Sequence, residues 1–217
     1  MGLLAVEKDI QQEIDDLCRE NEPKGYKINP LLLEYLDLLE QEYRNGPDSK
    51  ETYEHRYFAY TFIAYTYGLI GRFALAAKYY TLAINFAFNY YQLAGEAPNK
   101  IEDIYSYALI ARNYYVDDDC LDLEEMIKGT NFINPENRER IYRSAMNRRR
   151  SFKHDPVEMS EEYLAVIDEV EEKIENNRQS YGLGSCHEVW NLKRQFLAEK
   201  GISWKSPAIL NPRVRFD

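Results

Sequence analysis

Cys186 and His187 stand side by side, the one adjacent thiol–imidazole pair in the 217-residue chain. A thiolate beside a base is a nucleophile, and either group can ligate a metal. The pair falls at the expected start of a helix, where a thiolate is favoured. Neighbouring helical residues point about 100° apart, however, so the two side chains diverge and do not readily form a nucleophile–base pair. No nearby Cys, His or Asp completes a zinc set. The acidic run Asp117–Asp122, continued by Glu124 and Glu125, lacks the alternating Asp order and closing Glu of a calcium loop and reads as a solvated capping turn. The stretch from Arg138 to Arg150 also holds Arg140, Arg143, Arg148 and Arg149. It can grip phosphate or an acidic partner, or complement the acidic segment Glu161–Glu175; Arg148, Arg149 and Arg150 form the candidate basic patch. His55 and His154 are isolated in sequence and read as surface residues. With no Gly-x-Ser-x-Gly elbow and no phosphate loop, the residues indicate no catalytic group, no metal and no cofactor.

The composition sets the class. Hydrophobic residues make up 45% and aromatic residues 14%, enough for a packed core. Nineteen aromatics are Tyr, which fills space like Phe but keeps a hydroxyl that needs a partner or water. That excess points to many half-buried positions, as in a thin helical stack. A net charge of −10 disfavours nucleic acid and anionic membrane as partners, because phosphate binding needs a basic footprint. Cys18, Cys120 and Cys186 are odd in number and form no CxxC pair, so reduced thiols are expected. No apolar run approaches a signal core or membrane span, and a cytoplasmic location is expected.

The elements that would position any site are helices. Leu3, Val6, Ile10, Ile14 and Leu17 fall at helical spacing. Asn29-Pro30 reads as cap and first turn of a helix running through Leu31 to Arg44. Asp48 with Glu51 reads as a capping box for a helix to Ile70, whose apolar face is Tyr60, Ile63, Ala64 and Tyr67. Gly71 ends it. Phe73, Ala76, Ala77, Tyr80, Ala83, Ile84 and Ala87 then mark a helix to about Tyr91, joined so tightly that the two must fold back as a hairpin. Another helix, Ile101 to Tyr115, carries Ile104, Tyr107, Ala108, Ala111 and Tyr114. A short acidic helix ends near Gly129, and Asn134-Pro135 starts the Arg-rich helix. Pro156 and Ser160 open one with Tyr163, Ile167, Val170 and Ile174. Ser185 with Glu188 reads as a capping box for the last, ending at Lys200-Gly201.

The order Tyr60, Ile63, Ala64, Tyr67, Gly71, Phe73, Ala76, Tyr80, Ala83, Ile84 resembles the tetratricopeptide repeat, a helix hairpin of about 34 residues. Ala64 replaces the family's usual Gly, and Phe88 stands where a closing Pro is usual. A weaker match follows at Tyr107, Ala111 and Tyr114, with Asp118 and Leu123 in place of the turn Gly and the Ala. The resemblance implies an all-α, right-handed stack of antiparallel helix pairs, an α-α superhelix with capping helices. Residues 1–46 would flank it, 47–130 form the repeat-like pairs, 131–201 form the C-terminal helices, and 202–217 an extended, docked tail. If Tyr60, Ile63, Ala64 and Tyr67 face inward, then Phe58, Thr61, Phe62 and Tyr65 turn to a concave groove, joined by Tyr105, Arg112 and Tyr115. Such a groove suits an extended peptide or a helix. The expected function is a non-catalytic scaffold for a protein or peptide, with a basic partner favoured by the acidic surface. The alternative is a small-ligand module or enzyme around Cys186, His187 and the Arg-rich helix. A second copy of the chain is a third candidate for the groove.

Overall fold

A computed structural model of the protein describes residues 3–20, 22–113, 132–147, 153–182 and 184–216. Among them are helices and no strand: α1 (Leu3–Cys18), α2 (Gly25–Asn45), α3 (Lys50–Leu69), α4 (Phe73–Ala94), α5 (Ile101–Asn113), α6 (Pro135–Asn147), α7 (Glu161–Asn177), α8 (Ser185–Glu199) and the short α9 (Pro207–Leu210). A 3₁₀ turn, Pro156–Met159, precedes α7.

Most apolar stripes pack as their spacing dictates. Ile10 and Ile14 of α1 are buried, as are Tyr60, Ile63, Ala64 and Tyr67 of α3. Along the α3–α4 seam, Ala64, Ala76 and Ala83 are fully buried and let the backbones approach closely. Beside them runs a column of rings. Tyr67 and Tyr79 stack 5.4 Å apart and nearly parallel, Tyr60 lies 6.0 Å from Tyr79, and Phe86 lies 5.2 Å from Tyr60. The reversal turns on Gly71, whose φ of 75° is left-handed, a conformation that costs other residues about 1–2 kcal/mol. Beyond the hairpin, α5 packs on α4 and α6 on α5.

Among the described residues, the buried apolar side chains form two clusters. One runs from α1 to α6, the other joins α7, α8 and the tail through Tyr163, Ile167, Val170, Leu197 and Trp204. A polar seam links them, because α7 lies against α2. Arg72, at the start of α4, donates through Nη2 to Asp168 and, at 3.0 Å, to Glu171 of α7. Asn29 donates to Asp168 at 2.7 Å and accepts from the Tyr67 hydroxyl at 3.0 Å. Lys24 and Arg178 both reach Glu175. A Cβ at Gly25 would displace the Glu171 carboxylate from its place beside Arg72.

Several local expectations need correction. α2 begins at Gly25, so Pro30 lies inside it and Asn29 is not a cap. Pro30 forfeits one helical hydrogen bond, which burial of Ile28 and the Asn29 contacts offset. Ser49, not Asp48, caps α3, accepting from Thr52 N. Glu188 does not cap α8; it accepts from the amides of Gln179 and Ser180 and ties down the preceding loop. In α5, Tyr105 is fully buried and Tyr107 is 45% exposed, the reverse of the expected assignment. The tail, read from sequence as extended, contains the short helix α9. Trp204 Nε1 donates to Glu158 at 2.7 Å, and Phe216 meets the Trp190 ring edge-on at 5.0 Å.

Candidate interaction surface

The half of α3 that turns away from the α4 seam carries apolar residues at spacings of four, three and four. Phe58, Tyr65 and Leu69 are 44%, 52% and 45% exposed, and Phe62 and Thr61 are half-buried. Phe62 is held by α2, where the Tyr35 ring meets it edge-on at 6.1 Å. The ridge continues onto the neighbouring helices through Tyr80 of α4. The Tyr107 ring lies 6.1 Å from that of Tyr80, and burial, with Tyr107 and Tyr65 close by, pushes the Tyr80 hydroxyl far above the usual phenol range. Tyr65 of α3 and Tyr107 of α5 therefore stand in solvent beside Tyr80, and Phe58 is exposed two turns before Tyr65 on α3.

Of the other expected groove residues, Tyr105 belongs to the core, where its ring lies 6.3 Å from Phe132. It has no solvent-facing surface, whereas Tyr107 is exposed. Arg112 is half-buried on α5. Tyr115 lies outside the described residues, as do Arg148, Arg149, Arg150 and the Asp117–Glu125 run. The tail packs against α7, α8 and the 3₁₀ turn and leaves Phe58 and Tyr65 open.

No protein-family model, curated protein or solved structure matches this chain. Its chemistry therefore has to be read from its own side chains.

A second place where polar groups converge is a cavity of about 160 Å³ between the α3–α4 turn, α7, α8 and the tail. Trp190, Trp204 and Tyr163 line it with Arg72, Glu171 and Lys193. Lys193 Nζ sits 4.8 Å over the Trp204 ring and 5.3 Å over that of Tyr163. Burial raises the Glu171 carboxyl above its ordinary range, although the Arg72 charge opposes this. Arg72 was not singled out from sequence; an Arg directly after a turn Gly, in an apolar hairpin, was the available signal.

The remaining candidates are placed as follows. His187 Nε2 lies 3.2 Å from the Phe216 carbonyl and its ring meets Trp190 edge-on at 5.3 Å, so it helps to hold the tail. Cys186 is half-buried beside it. The acidic α7 takes its cations from Arg72, Lys24, Arg178 and Lys200, while Arg140 of the Arg-rich helix pairs with Glu102 of α5. His154 lies 3.4 Å from Glu158 and edge-on to Phe73, and His55 lies 3.0 Å from Glu7. Neither histidine is isolated. Among the described residues, no helix is long and apolar enough to cross a membrane.

Proposed function

We propose that this protein is a non-catalytic scaffold of tetratricopeptide-repeat type, which holds a protein or peptide against the aromatic face of α3, α4 and α5. The observation that carries this reading is the exposed pair Tyr65 and Tyr107 beside Tyr80, with Phe58 also exposed on α3. Exposed aromatic side chains on adjoining rigid helices are costly to leave in water and serve well as anchors for a partner. The hairpin supports it, with its alanine seam and a turn Gly at positive φ. A net charge of −10 favours a basic partner.

Panning a displayed peptide library against the full chain tests the proposal. Enrichment of basic peptides whose binding falls about 30-fold on Tyr65→Ala or Tyr107→Ala, a loss of about 2 kcal/mol, is the expected result. Selected peptides that bind both variants unchanged would overturn it.

A small-ligand module is the second reading, favoured by the aromatic and charged lining of the cavity beside Trp204. The two are separable by fluorescence. Both tryptophans of the chain line that cavity, so a ligand there changes Trp emission, whereas a peptide on the tyrosine face leaves it unaltered.

A further inference from the structure

One end of α3 meets α1 and α2 in a cluster with the donors of a metal site. Glu7 of α1, Glu42 of α2 and His55 of α3 each bring one ligand atom within 4.8 Å of the others. His55 Nε2 lies 3.0 Å from Glu7 Oε1, and His55 Nδ1 lies 3.9 Å from Glu42 Oε2. A tetrahedral zinc ion, with bonds of about 2.0–2.2 Å, sets neighbouring donors about 3.3 Å apart. Nε2 and Oε1 now share a hydrogen bond of 3.0 Å, and an ion replacing its proton requires the carboxylate to move aside from the imidazole axis. Glu42 closes the set by swinging a side chain that is 35% exposed.

The groups behind these donors point the same way. A metal on Nε2 requires the proton on Nδ1, and Nδ1 faces the Tyr43 hydroxyl oxygen at 3.3 Å, ready to accept it. Tyr43 is itself held: the Arg56 guanidinium lies 3.8 Å over its ring and donates to its carbonyl at 3.4 Å. Glu7 Oε1 accepts from the Tyr35 hydroxyl at 2.6 Å, and Gln11 donates to that hydroxyl in turn. Ligating imidazoles and carboxylates are characteristically oriented by such outer hydrogen bonds. An entry path exists as well, because Glu7 is 8% exposed while His55 is 34% exposed.

We propose that Glu7, Glu42 and His55 form a site for a divalent transition ion of the zinc class, with a fourth position open to water. One imidazole and two carboxylates, without thiolate, suit zinc or cobalt; magnesium and calcium take oxygen donors alone. Binding at Nε2 releases a proton to solvent wherever that nitrogen carries one. The ion joins α1, α2 and α3, so it stabilises the folded chain by an amount that rises with the logarithm of free zinc once the site is filled.

Calorimetric titration of the full chain with zinc, and visible spectroscopy with cobalt, test this. One saturable zinc site is expected, with a Tm that rises with zinc but not with magnesium, and a four-coordinate cobalt spectrum without thiolate charge transfer. His55→Gln and Glu42→Gln each remove a ligand and should weaken zinc binding by about 100-fold or more, beyond the roughly 10–100-fold lost when only an outer hydrogen-bond partner is removed. Glu42 is the safer position for folding, since it lies at the surface. Absence of saturable zinc uptake, undiminished uptake by both variants, or a cobalt–thiolate band would each overturn the assignment.

Discussion

Glu158 shows how much a single side chain can hold together. It is buried, accepts from Trp204 Nε1 at 2.7 Å, and lies 3.4 Å from His154 and 3.9 Å from Lys193. Burial alone would raise its carboxyl; the His154 hydrogen bond, the Lys193 charge and the Trp204 donor outweigh that and hold it below its ordinary range. A folded value below the unfolded one means the stabilisation is complete above the unfolded value and is lost as pH falls through the folded one. Glu158→Gln should therefore lower Tm at pH 7, with the gap closing as both proteins are acidified below about pH 4. Melts across that range read this directly, and a gap constant with pH would refute it. His154, isolated from other candidate ligands in sequence, reads as a surface residue; one of its neighbours, Glu158, lies only four positions on, but the other, Phe73, is brought to it by folding.

At the scale of elements, local spacing is a reliable guide in α3, α4 and α7, even though α3 also carries exposed apolar residues on its other face. The stripes of α3, α4 and α7 are buried as their periodicity requires. The phase of α5 was not readable, because Ile104, Ala108 and Ala111 form a stripe that either Tyr105 or Tyr107 can flank. Which flank is covered depends on Phe132, far along the chain. The same limit hid much of the polar architecture. Arg72 meets Asp168 across 96 positions and His55 meets Glu7 across 48, and no window of sequence contains both. The hairpin turn is different, for its signal is one residue. A Cβ at Gly71 meets nothing within 4 Å, so replacing it strains backbone alone. Gly71→Ala should cost about 1 kcal/mol in urea unfolding, with Gly71→Asn recovering part. A neutral Gly71→Ala would mean that the turn adopts another conformation.

For the molecule as a whole, two apolar clusters are fastened by ionic contacts rather than by a shared core. Removing one partner of such a pair strands the others, which costs about 3–5 kcal/mol when all are buried. Asp168 and Glu171 keep some solvent contact, so Arg72→Ala should cost about 2–3 kcal/mol. The location of the effect is the sharper check. Hydrogen exchange should quicken in α7 and α8 while α3 and α4 stay protected, as expected when one unit opens before the other; uniform acceleration would mean that the clusters unfold as one. The column of stacked phenols sets a further boundary. Burial raises the hydroxyls of Tyr60 and Tyr67 above the ordinary phenol range and brings that of Tyr79 to about 12. Their contribution is whole below the unfolded value and disappears as alkalinity rises through the folded ones. Each tyrosinate formed within the hairpin would be a charge without solvent, and the chain is already acidic. Strong base should thus undo this protein from its centre outward, with the ionised rings reporting the collapse in their own absorbance.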